Sequence, residues 1–139
     1  MNPVMKAIAK IHTLVMKVSG GRIGNAMGGN KILLLHHTGA KSGKHYETPL
    51  AYVRDGEAYA VIASAAGQPK HPGWYHNLRA NPNTLVEVEG QPIKVEAEVA
   101  PKEQRDRLWA EIVADFQQFA DYQKKTERTI PIVLLHPQN

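Results

Sequence analysis

Two tight-turn dipeptides, Asp55-Gly56 and Glu89-Gly90, each sit between runs of strand-forming residues, and they constrain this chain more than any other feature. Asp-Gly suits a two-residue hairpin, whose central residues need positive φ, so the strand before it must return antiparallel beside itself. Glu89-Gly90 marks a second return. Lys31 to His37, about Thr48 to Arg54 and Ala58 to Ser64 read as one set of strands; Thr84 to Val88 and Pro92 to Val99 read as another, and Ile130 to His136 closes the chain. In the fifth of these, Ile93, Val95, Ala97 and Val99 alternate with Lys94, Glu96 and Glu98, the period of a half-buried strand. Strand signals thus come in consecutive antiparallel groups. That pattern argues against a doubly wound fold and predicts an α+β, mainly β protein: a small barrel or curled sheet of about six antiparallel strands, decorated by helices.

Three segments carry helical signals. Pro72 opens a short helix holding Trp74, Tyr75 and Leu78, which must stop before Asn81-Pro82 because a residue preceding proline is pushed out of the helical region. A longer helix starts near Pro101, with Leu108, Trp109, Ile112, Val113 and Phe116 on one face against Lys102, Arg105, Asp106 and Asp115. Near the N-terminus, Val4, Ile8, Ile11, Val15 and Val18 oppose Lys6, Lys10, Thr13 and Lys17, which describes a basic amphipathic helix. Gly20, Gly21, Gly24, Gly28 and Gly29 follow it as a connection. A length of 139 residues suits one core. The expectation is a single domain over 1–139, with residues 1–30 as amphipathic helix and Gly-rich connection and residues 31–139 as the barrel.

The chain has no cysteine, which excludes disulfides, thiol nucleophiles and zinc–thiolate sites. Lys6, Lys10 and His12 interrupt the N-terminal apolar residues, so neither a signal-peptide core nor a membrane span is expected, and a cytoplasmic protein is. A net charge of +4 favours an anionic partner. The lysine face of the first helix adds an anionic membrane surface as a candidate. Histidine is plentiful, yet strand neighbours such as His36 and His37 point to opposite faces, and the five-residue spacing of His71 and His76 does not stack two ligands on a helix; no metal site is expected.

Two stretches carry chemistry. In TGAKSGK, only Ala40, Lys41 and Ser42 separate Gly39 from Gly43-Lys44, one residue too few for a phosphate-binding P-loop, and His45 stands where Ser or Thr is needed. No glycine triplet makes a dinucleotide fingerprint either. The turn can still meet an anion: glycines let backbone N–H groups approach closely, Ser42 can donate, and Lys41 and Lys44 can neutralise charge. In VIASAAGQPKHPGWYHNLRANP, a strand runs into small residues, Ala63, Ser64, Ala65, Ala66 and Gly67, against which a flat ring could lie. Trp74 and Asn77 fall about one helical turn apart and could touch one object.

TGAKSGKHYETPLAYVRDG, VIASAAGQPKHPGWYHNLRANP and YQKKTERTIPIVLL, taken in that order, resemble the deazaflavin-dependent nitroreductase family, split β-barrel proteins that use coenzyme F-420; the resemblance runs from about Ile32 to Pro137. It implies a groove basic at one end and smooth at the other. Lys41, Ser42 and Lys44 would meet the phosphate and polyglutamate tail. Thr48, Pro49, Leu50, Ala63, Ser64, Ala65 and Ala66 would border the ring, with His71, Pro72, Trp74 and Asn77 completing the groove. Tyr46 and Ala40 stand where the family usually or often has a basic residue. The implied reaction is hydride transfer from the reduced deazaflavin to a small apolar acceptor such as a quinone, an activated alkene or a nitroaromatic. Ser64 would hydrogen-bond the acceptor, and Tyr122 would donate a proton or close the pocket. Phe116 and Phe119 stand where relatives can carry tyrosine. Two alternatives share the barrel: a flavin mononucleotide (FMN) enzyme, and a non-enzymatic carrier of fatty acids or lipids. A monomer or homodimer is expected, and nucleic acid is not an expected partner.

Overall fold

The computed structural model describes residues 31–138, so the amphipathic helix and its glycine-rich connection lie outside the described residues. Six strands follow in order: β1 (Lys31–Thr38), β2 (His45–Asp55), β3 (Ala58–Ile62), β4 (Asn83–Val88), β5 (Gln91–Val99) and β6 (Ile132–Pro137). They close an antiparallel barrel in the order β1-β2-β3-β6-β5-β4, with β4 returning to pair with β1. Three helices decorate it: α1 (Gly73–Ala80) between β3 and β4, and α2 (Lys102–Asp115) with α3 (Gln117–Lys124) between β5 and β6.

The strands reverse at both signals, although the first loop is Gly56-Glu57, one residue later than expected, because Asp55 still pairs with Ala58. Gly56 has φ +60°, while Glu89 and Gly90 have φ +52° and +81°, the positive values that match a two-residue hairpin to strand twist.

Alternation along the strands fills two cores. Leu33, Leu35, Tyr52, Tyr59, Val61, Val86, Val95, Val133 and Leu135 point into the barrel, where Trp74, Tyr75 and Leu78 of α1 join them. The interleaved residues Ala58, Ala60, Ile132 and Leu134 face outward and are covered by Leu108 and Ile112 of α2 and by Phe116 and Phe119. β3 and β6 are therefore buried on both faces, which explains why their sequences are apolar without a polar alternate. At ~1.5–3 kcal/mol for each large aliphatic side chain removed from water, these cores are the main source of stability.

Several boundaries differ from the sequence expectation, among them the start of β6 at Ile132 and not Ile130, and three have a plain cause. β2 begins at His45, three residues early, because it pairs with β1 right up to the turn at Thr38↔His45. β3 ends at Ile62 and not Ser64, since Ala65 and Ala66 take φ +46° and +54° and turn the chain away. The helix after β5 is two helices: Phe116, at φ −134° and ψ 87°, breaks the helical path and buries its ring in the outer core. Among the described residues no helix is long and apolar enough to cross a membrane.

Candidate functional site

The barrel is open on one side of β2. β2 pairs with β1 from His45 to Tyr52, but with β3 only from Tyr52 to Asp55. Continuing that register would set Ala63 opposite Leu50, yet the Ala63 N–H is donated to the Pro131 carbonyl instead, 3.0 Å away. Residues 45–51 thus have a strand neighbour only on the β1 side among the described residues. The segment from Ala63 to His71 departs from the sheet where this edge is exposed. Thr48 and Leu50 are half-buried, and Pro49 between them is exposed.

The turn at one end of this edge is self-satisfied. Gly39 N–H donates to Lys44 O (2.8 Å), Gly43 N–H to Gly39 O (3.0 Å) and Lys44 N–H to Ser42 Oγ (3.2 Å). Ser42 Oγ lies where a Cβ on Gly39 would sit, so a larger residue there would have to turn the Ser42 side chain aside, and Gly43 at φ +71° has the left-handed conformation glycine favours. Ala40 N–H donates to Asn77 Oδ1 on α1 (2.9 Å). Four of the turn's N–H groups are therefore already used, so fewer are left for an anion than the glycines suggest. What the turn offers an anion is the exposed lysine pair Lys41 and Lys44, with the Ser42 hydroxyl beside them.

Asn77 connects this turn to the barrel wall. Its Oδ1 accepts from Ala40, which fixes the amide orientation, so Nδ2 donates to His37 Nδ1 (3.0 Å) and His37 carries its proton on Nε2, donated to Thr48 Oγ1 (2.9 Å). Burial, with the nearby His45 and His36 adding to it, lowers His37 to a pKa of about 4, which keeps this chain of donors neutral. The sequence assigned Asn77 to direct contact with a ligand. The structure shows Asn77 bonded to the lysine turn and Trp74 buried in the barrel core.

The loop at the other end is held by Arg128. Its guanidinium donates to the carbonyls of Gln68 (3.0 Å), Ala63 (3.2 Å) and Ser64 (2.8 Å), and to His71 Nδ1 (3.0 Å). Among the described residues no carboxylate pairs with it, and burial lowers its pKa from the ordinary value. His71 is likewise lowered, by burial first and then by Arg128, so it is a neutral imidazole with its proton on Nε2. Arg128 is itself positioned: Gln123 Nε2 donates to the Arg128 carbonyl (2.7 Å), and Arg105 donates to Gln123 Oε1 (3.3 Å) and to Ile130 O (2.8 Å).

With the Ala63, Ser64 and Gln68 carbonyls drawn toward one cation, the loop turns through left-handed Ala65, Ala66 and Gly67. Ala63 is buried, Ser64, Ala65, His71 and Pro72 are half-buried, and Ala66 is exposed. Gly67 packs directly on α3, where a Cβ would come within 2.6 Å of Tyr122 O. Tyr122 is half-buried, its ring edge-on to Phe119 at 5.9 Å and 5.8 Å from Lys125 Nζ. The two ends are joined by α1: His71 precedes it and Asn77 lies within it, six residues or on the order of 9 Å along a helical path. The site thus pairs a basic end with a smooth, cation-backed end, a donor set that suits a flat ring carrying an anionic tail.

The family model for F420H(2)-dependent quinone reductases matches residues 8–137. The chain belongs to that family. It is 40% identical over 133 residues to an F420H(2)-dependent quinone reductase of Mycobacterium tuberculosis, covering 92% of this chain and 89% of the relative. A solved F420-H2 dependent reductase superposes with a TM-score of 0.67 at 39% identity, covering 76% of this chain and 93% of the other. A second structure, described as a domain-swapped dimer, gives a TM-score of 0.67 at 31% identity and covers 97% and 100% of the two chains.

Proposed function

We propose that this protein is an oxidoreductase that uses reduced coenzyme F-420 to reduce a quinone. Family membership supports the deazaflavin, so the FMN alternative is not needed. The observation that carries the reading is the edge of β2, unpaired among the described residues, facing a loop whose carbonyls are turned onto Arg128. When bound and reduced, the coenzyme supplies the hydride.

The chain's own part is orientation and charge. Lys41 and Lys44 attract the phosphate and tail, with Ser42 donating beside them. Thr48 and Leu50 form one wall of the groove, with Pro49 on the strand between them, and Ser64, Ala65, Ala66, His71 and Pro72 form the other. Ala63, Trp74 and Asn77 support these walls from beneath. The uncompensated Arg128 cation favours negative charge developing on the acceptor oxygens, in a site partly shielded from water. Ser64 Oγ hydrogen-bonds the acceptor, and the Tyr122 hydroxyl delivers the proton that completes a hydroquinone.

Stopped-flow oxidation of reduced F-420 by a quinone tests this directly. Tyr122→Phe should slow acceptor reduction ~10²–10⁴-fold with coenzyme affinity unchanged, and Ser64→Ala should raise the apparent acceptor constant as well. Equal rates in Tyr122→Phe and the parent would assign the proton to solvent. Turnover of a nitroaromatic in the same assay decides the wider acceptor range, and lipid copurification without turnover would favour the carrier. The assembly proposed is a homodimer, as in the domain-swapped relative, measured by light scattering. The location proposed is cytoplasmic, with the N-terminal lysine face touching anionic lipid. Loss of vesicle partition on deleting residues 1–18 supports that contact, and no partition by the whole chain ends it.

A further inference from the structure

Strand pairing assembles a cluster on the barrel's outer face that adjacency in sequence does not show. His36 on β1 is paired with Glu47 on β2, and His45 precedes Glu47 by two, so the three side chains leave the same face of the hairpin. His36 Nδ1 and His45 Nε2 are 3.1 Å apart, and His45 Nε2 is 2.7 Å from Glu47 Oε1. One ligand atom from each residue lies within 4.8 Å of the others. The Glu47 side chain is only 7% exposed, whereas that of His45 is 32% exposed.

Counting protons shows what the cluster lacks. His36 Nε2 donates to Glu87 Oε2 at 2.8 Å, so Nδ1 turns a lone pair inward. Glu47 Oε1 is buried and, among the described residues, has no directed hydrogen bond, its short contact with His45 lying off the hydrogen-bond line. One His45 proton cannot serve both the imidazole and the carboxylate. A nitrogen lone pair and a carboxylate oxygen therefore converge where water is largely excluded, with a third ligand beside them.

We propose that His36, His45 and Glu47 bind a divalent transition cation of the Zn²⁺ class. Two imidazoles and a carboxylate suit such an ion, and Glu87 behind His36 is the outer carboxylate that orients a ligating histidine. Hard cations such as Ca²⁺ want six or more oxygens, which this set lacks. In a tetrahedral site with metal–nitrogen bonds of ~2.0–2.1 Å, neighbouring ligands stand ~3.3 Å apart. The separations of 3.1 Å and 2.7 Å need to open by a few tenths, which rotation of the partly exposed His45 supplies. A cleft of about 550 Å³ lined by His36, His45, Thr84 and Lys94 gives entry, and solvent completes the coordination. The ion would clamp β1 to β2 at the root of the lysine turn.

The test is titration of the untagged full-length chain with Co²⁺, read by visible absorption, then displacement by Zn²⁺. The parent should take one equivalent with the strong bands of a tetrahedral ion. His45→Gln and Glu47→Gln should each weaken binding at least ~10-fold and Glu87→Gln ~10–100-fold, with circular dichroism confirming the fold. His45 is exposed enough that its variant folds even if Glu47→Gln does not. No tetrahedral band at millimolar Co²⁺, or binding that His45→Gln leaves unchanged, overturns the site.

Discussion

The two ends of the open β2 edge are built in opposite ways. At the lysine turn, hydrogen bonds close within the turn and onto Asn77, leaving charges in solvent; at the Ala63–His71 loop, one partly buried guanidinium gathers three carbonyls and an imidazole. The first attracts from a distance, so salt screens it and its shape matters little. The second fixes shape at short range, so salt should leave it almost untouched. Under the proposed function, ring orientation, on which hydride transfer depends, falls to the loop, and affinity for the anionic tail falls to the turn.

Arg128→Ala should break this contrast most. Four acceptors lose their donor together, and because the loop is partly exposed water replaces some of them; a loss of about 3–4 kcal/mol is expected. For a chain of this size that lowers the melting temperature by about 10 °C, with deazaflavin affinity falling more than ~10-fold. Arg128→Lys keeps the charge but not the fork, so it should recover little. A variant as stable as the parent would show that the loop is held by something else.

Gly67→Ala should come next. Its φ of +79° and a Cβ at 2.6 Å from Tyr122 O combine strain with a backbone clash. About 2–3 kcal/mol of stability should be lost, seen as a shifted urea midpoint. If the midpoint holds, α3 can move away from the loop, and the close packing of Gly67 on α3 does not constrain the fold.

The smallest stability effect and a clear binding effect are expected from Lys41→Ala with Lys44→Ala. Both side chains are exposed, so folding should be nearly unchanged while coenzyme affinity drops by about 1–3 kcal/mol. Raising salt should weaken the parent in the same way and leave the double variant flat.

The barrel was legible where residue type dictates backbone. Gly56 and Glu89-Gly90 took the positive φ that a tight hairpin needs, and alternation around Val95 named a face of β5. The break at Phe116 was not, because the apolar pattern runs straight through a residue with no helix-ending chemistry. Nor was the end of β3: alanine at 65 and 66 gives no warning of left-handed backbone. In the site, Lys41 and Lys44 could be read as charges next to glycines. Arg128 could not be recognised as the loop's anchor, because its partners lie 57 to 65 residues away in the chain. His36, His45 and Glu47 required the strand register for the same reason.

The account's central claim is that tail and ring are bound by these two unlike ends. Binding of intact coenzyme F-420 should be compared with binding of the same deazaflavin chromophore lacking phosphate and polyglutamate, at low and high salt, in the parent, the double lysine variant and Arg128→Lys. The predicted result is that salt and the lysine substitutions weaken only the intact coenzyme, while Arg128→Lys weakens both ligands alike. Equal sensitivity of the tailless chromophore to salt and to loss of Lys41 and Lys44 would contradict it.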